Sequence, residues 1–213
     1  MLLEQIDGYE FNIAEKETEL IESRRVHHDV FLSIGYIDHA YPTGMIEDIF
    51  VEMSWYYYCR HLETGQVVGV VRQINGSLLG LPTLNDFSIW TESKSSIAVI
   101  PWTRIVEIGS LAVLKEHKCI VEGLYRQIWQ RSKTIMHSHW VASIDNRLLA
   151  AFRKYRGFLW EDIGDTKLYM GSLTTPVIAD LDAQSRNMAK LSHKFYEYIN
   201  ESKPSEVFGK YKV

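Results

Sequence analysis

The sequence predicts a mixed α/β (α+β) protein, and three stretches carry that prediction. Ile105, Val106, Ile108 and Val113 make residues 103–113 a β-branched run suited to a buried strand. Directly after it, Ile120, Leu124 and Ile128 recur at every fourth position, with Val121, Tyr125 and Trp129 in the neighbouring row, the periodicity of an amphipathic helix. Upstream, the aromatic run 54–60 and the apolar run 67–74 flank a turn at 63–66, which reads as an antiparallel hairpin.

The remaining elements follow in chain order. Residues 14–31 read as a helix, with Glu15, Glu17, Glu19 and Glu22 in its first half and Arg24, Arg25, His27 and His28 in its second, which complements the helix dipole. Gly35, Pro42 and Gly44 break that pattern, so 31–48 is a loop, either a lid or a cover over the core. On the second hairpin strand Arg72 stands in apolar surroundings and needs an anionic partner, for which Glu107, Asp48 and Glu52 are the candidates. Residues 75–101 read as an extended connection with one short helix. Its Leu81, Leu84, Phe87 and Trp90, with Trp102 beyond, either wall an apolar pocket or cover the core.

After the central strand and helix, 139–144 is a short strand. Asp145-Asn146 caps a helix whose Leu148, Phe152 and Tyr155 share a face, and Gly157 ends it. Closing strands at 158–160 and 167–170 flank a Gly164-Asp165 turn, and a last helix over 179–200 aligns Met188, Leu191, Phe195 and Tyr198. Residues 201–213 read as a polar, frayed tail.

Composition narrows the function classes. A chain of 213 residues, 46% hydrophobic, without repeats or a linker reads as one domain over 1–213. No apolar run reaches membrane length and the N-terminus lacks a basic, apolar leader, so the expected location is cytoplasmic, with no integral membrane segment. Cys59 and Cys119 are too few for a disulfide framework, and neither sits in a nucleophile motif. Three pairs at i, i+2 (Cys59 with His61, His117 with Cys119, His137 with His139) lack zinc-cluster spacing, so no metal is expected. The net charge of −4 argues against a nucleic-acid binder. Within 115–156, however, nine basic residues face three acidic ones, which suits a phosphate-bearing cofactor or an acidic protein, or else solvated helix faces.

Glu107 is the one charge inside the apolar run from Ile105 to Val113, and Gly109-Ser110 follows it where a bulge or a close ligand approach is expected. The run VEIGSLAV with its following helix, and then SIDNRLLAAFRKYRGF, resemble the GNAT superfamily of N-acyltransferases over about 31–170. VFLSIGYI, VVGVVRQI, LPTLNDF and Glu107 resemble most the branch of acyl-homoserine lactone (autoinducer) synthases and long-chain N-acyl amino acid synthases. The resemblance implies a mostly antiparallel mixed sheet with a bulged fourth strand, helices on both faces, a core at about 12–172 and a C-terminal helical extension at about 178–213. It implies transfer of a fatty acyl group from acyl carrier protein, or less often coenzyme A, to a small amine.

The same resemblance suggests roles for individual residues. Glu107 would take the proton that the amine must lose, burial raising its pKa toward neutrality. Backbone N–H groups near Leu111, Ala112 and Val113 would polarise the thioester, and Lys115, Lys118 and Gly123 would lie along the donor's phosphate. The acyl chain would lie among Leu81, Leu84, Phe87, Trp90 and Trp102. Arg24 and Arg72 bind the acceptor or serve structure, and Tyr155 is the candidate acid for the leaving thiolate.

Four departures refine this. The phosphate-cradling spacing falls on Lys118, Val121 and Gly123, and the valine Cβ hinders close approach to a pyrophosphate, which favours a carrier-protein arm over coenzyme A. Arg153 replaces the family's acid tyrosine. Ser110 and His27 stand where the lactone synthases place arginines. The expected function is therefore an amino acid N-acyltransferase. Its alternatives are a lactone synthase, an acetyl-coenzyme A-dependent N-acetyltransferase, or a non-catalytic module binding acyl groups or carrier protein.

Overall fold

The computed structural model describes residues 2–200, with side chains from Asp7 onward; the tail expected at 201–213 lies outside the described residues. Two strands precede the first helix, β1 (Leu2–Ile6) and β2 (Tyr9–Ile13), where the sequence reading placed none. Asp7 and Gly8 between them both have positive φ, +45° and +84°. That is the two-residue turn whose twist matches a hairpin, and Asp-Gly is the pair that tolerates it.

Then come α1 (Glu17–Ser33), β3 (Ser54–His61), β4 (Val67–Asn75), α2 (Pro82–Asp86), α3 (Thr91–Ala98) and β5 (Ile105–Val113). A 3-10 turn, Lys115–Ile120, leads into α4 (Val121–Thr134), followed by β6 (His139–Asp145) and α5 (Asn146–Tyr155). The chain continues with β7 (Glu161–Asp162), β8 (Lys167–Tyr169), β9 (Ser172–Asp180), α6 (Leu181–Leu191) and α7 (His193–Asn200). Hydrogen-bonded neighbours run β1-β2-β3-β4-β5-β6-β9-β7, with β8 also on β9. The pairing is mostly antiparallel; β5 and β6 are parallel. This is the mixed α/β class the sequence predicts, and the strand expected to be distorted is fifth in chain order because of the N-terminal hairpin.

The described residues fall into two compact units. One comprises those through Gln73, Ser110–Arg131 and those from Tyr198; the other comprises Ile74–Gly109 and Ser132–Glu197. In the first, α4 seats its row Ile120, Leu124 and Ile128, all fully buried, on the strands. Two glycines permit this: a Cβ on Gly69 would meet Ile120 and Val113, and one on Gly123 would run into the Phe11 ring. The glycine at 123 thus has a packing reason. Gly123→Ala should destabilise the protein by about 1–3 kcal/mol through overpacking. Urea unfolding checks this, and a pairing with Phe11→Leu should recover most of the loss.

In the second unit β6 pairs with β9 over seven residues, from His139↔Asp180 to Asp145↔Thr174. The sequence reading missed β9, since Pro176 discourages a strand assignment. The structure uses that proline through its carbonyl, which accepts from the Ile163 N–H at 3.0 Å. Three further expectations are corrected. The single helix over 179–200 is two: Asp180 caps α6 by accepting from Asp182 and Ala183 N–H, and the chain breaks at Ser192 (φ −141°, ψ 53°). Residues 158–160 are not a strand, and 75–101 holds two helices. Finally, α5 buries Leu149 and Phe152, while Leu148 and Tyr155 are 39% and 59% exposed, so Tyr155 has no core role. Phe152 of the expected row is buried, and Leu149 takes the place expected for Leu148.

Candidate functional site

In the second unit the parallel ladder between β5 and β6 joins Ile105–Glu107 to His139–Val141 and ends there. Glu107 is 5% exposed, and both of its carboxylate oxygens accept from Thr83: Oε2 from the backbone N–H at 2.8 Å, Oε1 from the hydroxyl at 2.9 Å. Thr83 lies in the first turn of α2, which Pro82 opens with a φ already suited to a helix. Thr83 is the residue that reasoning from sequence missed, although the LPTLNDF segment contains it. Beyond Glu107, a Cβ built on Gly109 would meet nothing within 4 Å. An acid held in fixed orientation thus sits at the end of a ladder, with open space beside the next glycine.

The apolar candidates divide. Leu81 and Phe87 are buried and Leu84 is half-buried, whereas Trp90 and Trp102 are each 43% exposed. Phe87 packs on the Tyr169 ring at 5.0 Å with the Lys167 ammonium above it at 4.4 Å, and Trp90 Nε1 donates to Asp165 at 2.9 Å. Tyr155 stands in solvent on the last turn of α5, with the Lys154 ammonium over its ring.

In the first unit β5 resumes at Ser110, whose φ of +52° lies in the left-handed region. A serine there is strained by the order of 1 kcal/mol or more, at the point the sequence marked. Ala112 is fully buried, Leu111 and Val113 are partly covered, and Lys115 and Lys118 are exposed on the 3-10 turn. That turn bends at His117 (φ −115°, ψ 24°). His117 Nδ1 lies 2.9 Å from the Tyr9 hydroxyl, Cys119 Sγ lies 3.8 Å from the same oxygen, and the His61 ring is 5.2 Å from both the Tyr9 and His117 rings. Burial, with Cys119 beside it, pushes the Tyr9 phenol up to about 12. His117 and Cys119, one of the pairs set aside as zinc ligands, therefore meet His61 of another around one tyrosine. Among the described residues no group of three His, Cys, Asp or Glu side chains is placed to hold a metal ion.

Arg72 finds its anion in Asp48. Nη1 and Nη2 donate to the two carboxylate oxygens at 2.5 and 2.8 Å, and Nε donates to Ser54 Oγ at 2.8 Å. Burial pushes the Asp48 pKa up, but the hydrogen bonds and charge of Arg72, helped by Phe50 N–H, outweigh it and hold the carboxyl below the usual range. Arg24 ties α1 to the following loop, donating to Glu47 at 2.9 Å and to the Ile46 carbonyl at 3.2 Å. Beside them His27 is 4% exposed, edge-on to Phe31 at 4.3 Å, with no hydrogen-bond partner for Nε2. Its imidazole is pushed down to about 3, first by burial and then by the Arg72 charge.

No protein-family model and no curated protein matches the chain. Solved structures do. FeeM, an N-acyl amino acid synthase from uncultured soil microbes, superposes with a TM-score of 0.67 at 14% identity, covering 84% of this chain and 94% of that one. The acyl-homoserine lactone synthase LasI gives 0.66 at 15% identity, over 87% of this chain and 94% of its own. BjaI, a coenzyme A-dependent acyl-homoserine lactone synthase, gives 0.59 at 17% identity, over 84% and 83%. The chain has the acyl-amide synthase fold. Both branches of the resemblance read from the sequence are represented among these structures.

Proposed function

We propose that the protein is an N-acyltransferase that moves a long-chain fatty acyl group from a thioester donor to the amine of an amino acid or similar small acceptor. The observation that carries this is Glu107: a buried carboxylate whose two oxygens are fixed by Thr83, at the end of the β5–β6 ladder, on a synthase fold. Amide formation from a thioester needs little else from a side chain. The ammonium group of the acceptor must lose a proton; Glu107 accepts it, directly or through water. The nitrogen then attacks the thioester carbonyl, whose developing negative charge needs hydrogen-bond donors such as backbone N–H groups. The C–S bond breaks, and the thiolate takes up the second proton that the nitrogen sheds on becoming an amide.

Leu81, Leu84 and Phe87 are the apolar residues we assign to the acyl chain; the exposure of Trp90 and Trp102 makes them less suited to it. Val121 and the basic run at 115–156 favour acyl carrier protein as donor, with the exposed Lys115 and Lys118 near its phosphate. Arg72, with Nε, Nη1 and Nη2 all donating within its own unit, serves structure rather than the acceptor.

Mass spectrometry of small molecules extracted from a bacterial host expressing the protein, beside an empty-vector host, tests the reading. New ions matching a fatty acyl group on an amino acid are the expected result. Binding of acyl carrier protein without any such product would instead indicate a module that has kept the fold and lost the chemistry. A second test uses the space at Gly109. Because a Cβ there meets nothing in the protein, Gly109→Val should leave the melting temperature within about 2 °C. If a donor occupies that space, the same variant should weaken donor affinity about tenfold or more; unchanged affinity would place the donor elsewhere.

A further inference from the structure

Three loops at one end of the sheet in the second unit carry apolar side chains out into solvent. β4 ends at Asn75, β5 begins at Ile105 and β6 at His139, and Ile105 and His139 are paired in register, so these strand ends lie side by side. After β4 come Leu78, 100% exposed, and Leu79; before β5 come Val99, 80% exposed, and Trp102; before β6 comes Met136, 73% exposed. The loops are joined to one another. Gly76 N–H donates to the Ile105 carbonyl at 3.2 Å, and Gly76 lies against the carbonyl and ring of Trp102. Arg104 Nε donates to the Met136 carbonyl at 3.4 Å, and Ser138 N–H to the Arg104 carbonyl at 2.8 Å.

The leucine tip is itself fixed outward. Gly80 N–H donates to the Ser77 carbonyl at 2.9 Å, Leu79 N–H to Ser77 Oγ at 3.2 Å, and Asn85 Nδ2 to the Leu79 carbonyl at 2.8 Å. A leucine held in water by hydrogen-bonded turns costs solvation free energy that folding inward would recover, so its position calls for a partner.

Charge identifies the partner's chemistry. Residues 75–85, 93–106 and 132–144 contain no Asp or Glu, whereas Arg104 and Lys94 are exposed among them. Asp180, opposite His139, with Asp182 and Glu161, stands beyond β6, and Asp180 already caps α6. Separate apolar side chains on protruding loop tips suit a deformable partner, since a rigid protein would need a matching pocket for each. Apolar tips with a tryptophan, on loops that carry cations and no acid of their own, match the boundary between lipid headgroups and acyl chains. Among the described residues no helix is long and apolar enough to cross a membrane, so such a contact would be peripheral.

We infer that this edge docks on an anionic lipid surface, the loop tips entering the acyl boundary and Arg104 and Lys94 meeting lipid phosphates. The inference uses neither Glu107 nor Thr83 and stands apart from the acyl-transfer reading. It is tested by co-sedimenting the purified chain with vesicles of phosphatidylcholine alone and of phosphatidylcholine mixed with phosphatidylglycerol. The mixed vesicles should bind it about tenfold or more tighter than the neutral ones, and the difference should shrink in high salt. The double variant Leu78→Ser/Leu79→Ser should lose about tenfold or more in binding while melting at the same temperature. The variant Arg104→Ser/Lys94→Ser should lose the preference for the anionic lipid. Absence of wild-type binding to either vesicle, or a leucine variant that binds as well as wild type, would overturn the inference. So would a chain that ignores vesicles and whose leucine variant instead loses affinity for purified acyl carrier protein, since the edge would then be a protein-docking surface.

Discussion

Glu107→Gln is expected to lower turnover by about tenfold or more while leaving donor affinity within about twofold. The substitution is nearly isosteric, and Thr83 can accommodate it. The Thr83 N–H that now donates to Oε2 can donate to an amide oxygen, and the Thr83 hydroxyl that now donates to Oε1 can rotate and accept from the amide nitrogen. What the amide cannot do is take a proton from an ammonium group. A loss confined to turnover, at unchanged thermal stability, therefore reports proton transfer rather than a collapsed site. Thr83→Val supplies the control on positioning: it removes the hydroxyl and keeps the backbone donor, so turnover should fall less than with the glutamine. Single-turnover rates with a saturating acyl donor separate the two. Unchanged turnover in Glu107→Gln removes Glu107 from the mechanism and leaves it a structural acid.

Stability is expected to fall as the pH drops from about 6.5 toward 3, at up to about 1.4 kcal/mol per pH unit, because of His27. The sign follows from the direction of the shift. In the folded protein the ring is neutral down to about 3, since burial opposes its charging and Arg72, His28 and Arg24 add to that opposition against Asp48. In the unfolded chain the ring charges near its ordinary 6.5. The unfolded state thus binds the extra proton throughout the interval, and the stabilisation present above the unfolded value disappears on acidification. His139, whose pKa is also lowered by burial, contributes with the same sign. Asp48 and Glu19, held below the ordinary carboxylate range, add their own losses only near and below about pH 4. Urea unfolding between pH 5 and about 6.5 therefore isolates the histidines. His27→Gln should flatten most of the slope there, whatever its effect on stability at pH 7. A variant with the wild-type slope would show that His27 does not control acid stability.

Much of the fold was legible because it rests on local patterns. The β-branched run of β5, the four-residue rows of α4 and the aromatic hairpin of β3 and β4 each state their element in contiguous residues. The lone charge at Glu107 and the Gly-Ser pair after it mark a distortion in this strand, and Ser110 bears that out with its positive φ. The Asp7-Gly8 turn was equally legible in principle: its two residues are the ones that tolerate positive φ together, and only the short, mixed strands on either side hid it.

Other features were decided by partners distant in sequence. β9 carries a proline that argues against a strand, and it exists because β6 supplies seven paired residues along it. Gly123 reads as part of a phosphate cradle, and its packing role is invisible in sequence because Phe11, which lies where its Cβ would be, is more than a hundred positions away. Arg72 had three candidate anions, and no spacing rule could foresee the Asp48 contact, which depends on how the loop after α1 returns. Thr83 gave no sign of its role, because a hydrogen bond across 24 positions leaves no periodicity. The sequence by itself determined the order of most elements, the position of the strained strand and the presence of one lone acid in it, since these depend on neighbouring residues. Only the tertiary structure decided what holds that acid and which glycines are there for packing, since those depend on contacts between segments the chain keeps far apart.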